Sequence, residues 1–478
     1  MKSFYGRKLE LQSLEKLIQK NSASLVVIYG RRRIGKSRLI EEFGKNKQIL
    51  TFSGLPPTEH IDAQNQRDNF ARTLCKYFNL TDINASDWGD LFDKLIQLTE
   101  KEKVIIFFDE ISWMGDKDHT FLGKLKNAWD MGFHKNQHLQ LILCGSISSW
   151  IERNILSNTG FLGRISLKLQ LEELPLRECS KFWRTQEKLV SPIEKLKVLS
   201  VTGGVPKYLE EIQPNLSAEE NIRLLCFRKE GMLFNEFEQI FSDLFDKKSH
   251  TYKKIINELI YGPKEYNNIC KNLGITQSGF ISEYLDNLIK ASFLTRDYTW
   301  SLKTGKESRL SNFRISDNYL RFYLKYIEPN KAKIERHIYE KVSPSSISGW
   351  HTTMGLQFEN LVLSSRTYLF KKMNISPEEI VYENPFFQKP TKRIKGCQID
   401  YLIQTRQNTL YLCEIKFSKH PIGESIIEDI NKKIQALSLP RNISIRPVLI
   451  YVNGITEQLE DKQYFSHLID FSNVFNQS

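Results

Sequence analysis

The stretch Val26-Val27-Ile28-Tyr29-Gly30-Arg31-Arg32-Arg33-Ile34-Gly35-Lys36-Ser37 decides how the first part of the chain folds. Its apolar, β-branched start predicts a buried strand. The segment G-x-x-x-x-G-K-S that follows has the spacing of a phosphate-binding loop, and residues 38–43 have a helical pattern. Strand, glycine-rich loop and helix, in that order, are the context that this motif requires, so we predict a P-loop in an α/β domain.

This loop predicts an ATP site. Gly30 and Gly35 permit tight turns and a close backbone approach, and the loop amides with the helix N-terminus then face a phosphate chain. Lys36 supplies a charge for the β- and γ-phosphates, and Ser37 offers a hydroxyl to Mg²⁺. We assign nucleotide binding to Gly30, Arg31, Arg32, Arg33, Ile34, Gly35, Lys36, Ser37 and Arg38.

Two later apolar runs predict strands that end at the same site. Residues 104–108 are apolar and lead into Asp109 and Glu110. We expect Asp109 to complete the Mg²⁺ shell and Glu110 to polarise the attacking water. Ser146 follows the run 141–145, where it is either a sensor of the γ-phosphate or an ordinary serine after a strand. Arg164 reaches a nucleotide in its own or a neighbouring subunit, or else pairs with a surface carboxylate.

Composition limits the class of protein. A length of 478 residues predicts about three domains, and the formal charge of +12 suits an anionic partner such as nucleic acid, although a solvated basic surface explains it equally well. The seven cysteines are scattered, without a C-x-x-C pair, as expected for reduced thiols in the cytoplasm. No apolar leader and no run of 18 apolar residues is present, so we expect no signal peptide and no membrane span.

Residues 249–346 have the pattern of a winged helix followed by a connector. Helical stretches at 252–261, 263–273 and 276–291 precede two short strands at 293–296 and 313–315. The turn between the strands carries Lys303, Lys306 and Arg309, which suit phosphate contacts with DNA. The alternative is a winged helix that serves only to pack against protein.

A group of charged residues lies within apolar strands near the C-terminus. A helix at 352–373 precedes the strands 396–403 and 410–417, which we expect to pair, and 445–452 is expected to be the final strand. Glu414 and Lys416 then share one face of a strand, and Asp400 lies on the neighbouring strand. Two carboxylates suit Mg²⁺ or Mn²⁺, and Lys416 could orient a water or stabilise a phosphate. The alternative is a structural ion pair.

The first two thirds of the chain resemble the archaeal-type group of the AAA+-related STAND ATPases. The resemblance lies in the opening F-x-G-R-x-x-E at 4–10, the P-loop, the segment 104–110, Gly163-Arg164 and the turn Gly203-Gly204-Val205-Pro206. It implies that Gly6 and Arg7 lie near the adenine and that Pro206 contacts the nucleotide from a helical lid.

The last segment resembles the PD-(D/E)xK nuclease-like domain that the same group carries. Asp400, Glu414 and Lys416 match the motif, although Ile399 stands where the family has proline. The resemblance implies an αβββαβ core and adds Glu359, on the preceding helix, as a metal ligand.

Together these features predict an α/β P-loop ATPase core with a parallel sheet (1–170), a helical lid (171–248), a winged helix with connector (249–346) and a restriction-endonuclease-like domain (347–478). The predicted function is an ATP-hydrolysing, DNA-directed protein with Mg²⁺-dependent endonuclease activity, and a homo-oligomer could form through the ATPase domain. The alternatives are a non-cleaving ATP-dependent switch or scaffold that binds DNA or protein, and a winged-helix transcription regulator.

Overall fold

The computed structural model describes residues 3–245, 249–275, 279–392 and 394–476. It divides into two compact units. The first unit comprises Met1–Leu174 and Val205–Lys207, and the second comprises Pro175–Gly204 and Tyr208–Ser478. The finer division into four domains stays a prediction.

The first unit alternates strands and helices. Its strands are β1 (Ser24–Tyr29), β2 (Ile49–Ser53), β3 (Ile105–Asp109), β4 (Gln140–Gly145) and β5 (Ile165–Gln170). Its helices are α1 (Lys8–Ile18), α2 (Lys36–Phe43), α3 (Ala63–Phe78), α4 (Trp88–Thr99), α5 (Ile111–Met114), α6 (Phe121–Met131) and α7 (Ser148–Ile151). The predicted strands at 26–29, 104–108 and 141–145 are therefore present, each with bounds shifted by one or two residues.

The five strands form one parallel sheet in the order β2-β3-β4-β1-β5. All six residues of β1 are buried, and its side chains alternate between two cores. Val27 packs in the core on one face of the sheet, and Val26 and Ile28 pack in the core on the other. A parallel sheet covered on both faces explains the continuous apolar runs and confirms the predicted α/β class.

The second unit begins with helices in the segment predicted to be helical. These are α8 (Leu176–Ser180), α9 (Pro192–Thr202), α10 (Pro206–Leu209), α11 (Ala218–Cys226) and α12 (Met232–Phe245). The first two residues of α10 belong to the first unit. The turn Gly203-Gly204-Val205 separates α9 from α10, and Gly203 has a positive φ of 60°.

Three helices and a β-hairpin follow, in the order expected of a winged helix. The helices are α13 (Ser249–Asn257), α14 (Tyr266–Asn272) and α15 (Gly279–Lys290), and residues 276–278 of the third predicted helix lie outside the described residues. The strands β6 (Lys264–Glu265), β7 (Leu294–Trp300) and β8 (Glu307–Ile315) form an antiparallel sheet in the order β6-β8-β7. Short helices α16 (Asn318–Phe322) and α17 (Lys331–Glu335) come next.

The C-terminal sheet has five strands in the order β13-β12-β11-β10-β9. They are β9 (Ile380–Gln388), β10 (Cys397–Thr405), β11 (Thr409–Lys416), β12 (Ser444–Tyr451) and β13 (His467–Asp470). The first three are antiparallel, whereas β12 and β13 run parallel to β11. The helices α18 (Trp350–Leu363) and α19 (Arg366–Met373) precede the sheet, α20 (Ser425–Ala436) connects β11 to β12, and α21 (Glu457–Asp461) connects β12 to β13.

Two sequence predictions about this region were wrong in detail. The single helix expected at 352–373 is two helices, interrupted at Ser364 and Ser365. The Ser364 hydroxyl donates to the carbonyl oxygen of Leu361 at 2.8 Å, and such local bonds compete with the helical backbone pattern. The strand at 445–452 is also not the last, because β13 pairs with it at the sheet edge.

Among the described residues, no helix is both long and apolar enough to cross a membrane.

Candidate functional site

The loop between β1 and α2 has the backbone that phosphate binding requires. Gly30 has a φ of +146°, and a Cβ there would collide with the carbonyl oxygen of Leu171. Gly35 has a φ of +90° and is the N-cap of α2. Both positions therefore need glycine, and the fit of this cradle to a phosphate chain comes from the backbone itself.

Lys36 is held inside this loop. Its side chain is buried, and its ammonium donates to the carbonyl oxygens of Gly30 at 2.9 Å and Arg31 at 3.1 Å. A third bond, of 2.9 Å, reaches the hydroxyl of Ser146 at the end of β4. The same hydroxyl donates to Glu110 Oε1 at 2.5 Å, and the Ser146 amide donates to Glu110 Oε2 at 3.1 Å. Ser146 therefore joins the P-loop lysine to the predicted water-polarising carboxylate.

Ser37 and Asp109 form the second part of this site. The Ser37 hydroxyl donates to Asp109 Oδ2 at 2.9 Å. Burial and then the neighbouring charge of Glu110 raise the pKa of Asp109, and the bond from Ser37 opposes that rise. A hydroxyl and a carboxylate oxygen side by side fit a Mg²⁺ ion that also contacts nucleotide phosphates.

The opening segment contacts the P-loop. The Arg7 guanidinium donates to the carbonyl oxygens of Ile34 at 3.2 Å and Glu172 at 2.5 Å. Gly6 and Arg7 both have positive φ, of 74° and 60°, which makes a tight turn before α1. Pro206 lies at the other side of the loop, since a Cβ on Gly35 would be 3.7 Å from its Cγ.

The remaining arginines of the motif differ in their surroundings. Arg31 is buried, and its Nη1 is 3.3 Å from Glu173. Arg38 is one-third exposed and pairs with Glu41 at 2.9 Å. Arg32 and Arg33 are half-buried in the loop, where Arg33 has a φ of 70°. Nucleotide contacts by these four side chains stay predictions.

Arg164 is engaged away from the P-loop. Its Nε and Nη2 bond the two carboxylate oxygens of Asp130, on α6, at 2.6 and 2.9 Å. The hydrogen bond from Arg164 lowers the pKa of Asp130 well below its usual range. The sequence left two interpretations of Arg164 open, contact with a nucleotide or pairing with a surface carboxylate. In this structure Arg164 pairs with a surface carboxylate.

The hairpin of β7 and β8 packs against the C-terminal sheet. Trp300, at the end of β7, is buried with Leu302 in the core of that sheet. Its ring lies 4.6 Å from the ring of Tyr382 and 5.1 Å from that of Phe386, and its Nε1 donates to Gln404 Oε1 at 2.7 Å. These contacts fix the hairpin to the sheet.

Of the three cations expected to contact DNA, Lys303 and Lys306 lie in the turn between β7 and β8, and Arg309 lies near the start of β8. Lys303, Lys306 and Arg309 are all exposed, and none forms an ion pair with another residue that the structure describes. The hairpin therefore combines a buried packing face with an exposed basic tip, so packing and phosphate contact are compatible.

The C-terminal charged residues meet at the junction of β10, β11 and α20. Glu414 is 2% exposed, and its Oε1 lies 2.8 Å from the ammonium of Lys416. Its Oε2 lies 2.5 Å from the ammonium of Lys433 on α20, which is also 3.7 Å from Asp400 Oδ1. Asp400 Oδ2 accepts the backbone N–H of Ile415 at 2.9 Å. Lys433 thus contacts both carboxylates, and Glu414 also pairs with Lys416.

Glu359, on α18, belongs to the same electrostatic environment. Burial and then the charge of Asp400 raise its pKa to about 7, while Arg321, Arg314 and Lys416 oppose that rise. Burial, followed by the charge of Glu414, also raises the pKa of Asp400. No described group of three or more His, Cys, Asp or Glu side chains is arranged to hold a metal ion. Roles for Glu359, Asp400 and Glu414 as metal ligands stay predictions.

Lys433 is the site residue that the sequence interpretation missed. It follows the buried Ile426 and Ile430 of α20 at spacings of seven and three residues, on the apolar side of an amphipathic helix. A lysine on the apolar side of an amphipathic helix is a signal that could have identified Lys433, because a charge on that side needs a buried partner.

Residues 4–212 match the model of a family described as an ATPase domain predominantly from Archaea. An uncharacterized protein of Methanocaldococcus jannaschii is 28% identical over 342 residues, which are 70% of this chain and 72% of that protein. An uncharacterized ATP-binding protein of the same organism is 50% identical over 46 residues, 10% of this chain and 78% of that protein. The Walker-type ATPase of Pyrococcus abyssi has a similar fold, with a TM-score of 0.50, 16% identity and coverage of 67% and 96% of the two chains. The chain therefore contains a P-loop ATPase domain, as predicted, and residues 4–212 are similar to the archaeal family.

Proposed function

We propose that this ATPase is directed to DNA and that its C-terminal sheet carries a Mg²⁺-dependent endonuclease site controlled by the ATPase domain. The observation that carries the proposal is the pair Asp400 and Glu414, which lie on adjacent strands and share Lys433 as an ion-pair partner. The order of the C-terminal elements, helix, three antiparallel strands, helix and parallel strand, supports the nuclease-like resemblance.

In the ATPase domain, different residues would have separate roles in ATP hydrolysis. Lys36 would neutralise charge on the β- and γ-phosphates, and Ser37 with Asp109 would hold Mg²⁺. Glu110 would polarise the attacking water, and Ser146 orients Glu110 through both its hydroxyl and its amide. We propose no nucleotide contact for Arg164 within its own subunit while Asp130 holds it. An oligomer in which Arg164 reaches a neighbouring nucleotide would first have to break that pair.

At the C-terminal site, Asp400 and Glu414 would hold Mg²⁺, or Mn²⁺ in its place. Such an ion supplies a Lewis acid for the phosphate and lowers the pKa of a bound water. Lys416, 42% exposed beside Glu414, has the position to orient the nucleophile or to stabilise the charge of the phosphate.

The test is incubation of plasmid and of linear single-stranded DNA with Mg²⁺ or Mn²⁺, with and without ATP. We expect nicking by the wild-type protein and none by Asp400→Ala, Glu414→Ala or Lys416→Ala. Glu428→Ala is the matched control, because Glu428 is an exposed carboxylate on α20. Intact plasmid under every condition would contradict the endonuclease proposal.

A second candidate is an ATP-dependent switch that binds DNA or protein and cleaves nothing. The observation that favours it is the pairing of Glu414 with two lysines, which neutralises a carboxylate without any metal. Nucleotide-dependent DNA binding without nicking would support this candidate. A footprint at one defined sequence would instead favour a transcription regulator that uses the basic tip of the wing.

A further inference from the structure

Lys433 contacts Asp400 and Glu414 from the helix α20, whereas the motif residues lie on the strands β10 and β11. It lies near the end of α20, and its side chain is 24% exposed. Neighbouring Lys432, in contrast, is 71% exposed and pairs with Asp429 on the same helix at 3.4 Å. The two lysines are adjacent in the sequence, but of the two only Lys433 faces the sheet.

The Lys433 ammonium is shared by both carboxylates. It is 2.5 Å from Glu414 Oε2 and 3.7 Å from Asp400 Oδ1, on two neighbouring strands. The ammonium therefore contacts one oxygen of each carboxylate.

We propose that Lys433 is a positioning residue that takes the place of the divalent cation between Asp400 and Glu414, and that metal binding has to displace it. This inference rests on the proposed metal-dependent function. An ammonium and a divalent ion repel each other and compete for the same oxygens, so the two cannot occupy this space together. The four-carbon stem of lysine allows the ammonium to swing away while α20 stays in place.

This arrangement has two consequences for the site. Without metal, Lys433 places a positive charge beside the two carboxylates of Asp400 and Glu414, which would otherwise repel each other. With metal, the released ammonium joins Lys416 beside the carboxylates, where two cations suit an anionic phosphate. Lys433 would thus set the concentration of divalent ion at which the site becomes occupied.

Calorimetric titration of the full chain with Mn²⁺ tests the proposal. We compare wild type with Lys433→Met, which removes the charge and keeps the length, and with Lys433→Arg, which keeps the charge. Lys432→Met is the matched control. We expect Lys433→Met to bind Mn²⁺ at least tenfold more tightly than wild type, with Lys433→Arg and Lys432→Met close to wild type. Without metal, Lys433→Met should also have a lower Tm, which Mn²⁺ restores.

The inference is overturned when Lys433→Met binds Mn²⁺ within twofold of wild type, or when Lys432→Met gains as much affinity. Wild-type cleavage together with unchanged affinity in Lys433→Met would overturn the role of Lys433 and leave the endonuclease intact. Tighter Mn²⁺ binding without cleavage by any protein would support the displacement of Lys433 and overturn the endonuclease. Absence of Mn²⁺ binding in all four proteins overturns both. Lys433→Gln provides the same comparison when circular dichroism shows that Lys433→Met is not folded.

Discussion

Ser146→Ala is the substitution that best tests the structure of the ATPase site. The Ser146 hydroxyl is the atom that joins Lys36, at 2.9 Å, to Glu110, at 2.5 Å. Alanine removes both hydrogen bonds and leaves the backbone amide of residue 146, which donates to Glu110 at 3.1 Å. Because Glu110 is the residue proposed to polarise water, we expect slower hydrolysis with nucleotide binding largely retained.

The size of the effect follows from these bonds. A hydrogen bond to a charged group contributes about 1.5–3 kcal/mol. Lys36 keeps its bonds to Gly30 and Arg31, and Glu110 keeps the amide, so the effects of removing the two bonds do not add fully. We therefore expect transition-state stabilisation to fall by about 2–3 kcal/mol, or roughly 30- to 150-fold in the rate of hydrolysis. Nucleotide affinity should change by less than about threefold, because the loop amides provide the phosphate contacts.

Single-turnover hydrolysis of ATP measures the chemical step, and calorimetry measures nucleotide affinity. Ser148→Ala is the matched control, since Ser148 is also buried but its hydroxyl has no hydrogen-bond partner in the described part of the chain. Hydrolysis by Ser146→Ala within twofold of wild type would refute the positioning of Glu110 by Ser146. Equal slowing by Ser148→Ala would show that the effect comes from packing of the loop.

Three further outcomes are expected. Lys36→Ala should abolish detectable hydrolysis and bind nucleotide at least about 100-fold more weakly in calorimetry, because the Lys36 ammonium is the charge held between the loop carbonyls of the P-loop; retained binding would move the phosphate site elsewhere. Charge reversal of Lys303, Lys306 and Arg309 together should reduce the log–log salt slope of duplex DNA binding by about 0.9 for each phosphate that is no longer neutralised, and an unchanged slope would place the DNA surface on another element. Trp300→Ala should lower the free energy of unfolding of the second unit by about 3–5 kcal/mol in denaturant titrations. A decrease below about 1 kcal/mol would mean that the C-terminal sheet does not hold the β7–β8 hairpin.

Local patterns in the sequence were sufficient to predict the strand, the loop and the helix of the P-loop. The run 26–29 lies in β1 with every residue buried, and the G-x-x-x-x-G-K-S motif lies between that strand and α2. Burial on both faces of a parallel sheet requires continuous apolar strands, and glycines at 30 and 35 are required by positive φ. These requirements act on neighbouring residues of the chain, so the sequence by itself determines them.

The sequence determined less about the C-terminal site. The alternation of side chains placed Glu414 and Lys416 on one face of β11, and the predicted pairing with the strand that carries Asp400 is present. The interruption of the helix at Ser364 and the edge strand β13 were not predicted, because a short element depends on the neighbours that complete its hydrogen bonds.

Only the tertiary structure decided which side chain each charged residue pairs with. Arg164 pairs with Asp130, Ser146 with Glu110, and Lys433 with Glu414, at separations of 34, 36 and 19 residues. Periodicity shows which face of an element is buried, but it does not show which other element covers that face. The partner of a buried charge is selected by desolvation, which acts through space on whatever groups the fold brings within a few ångströms.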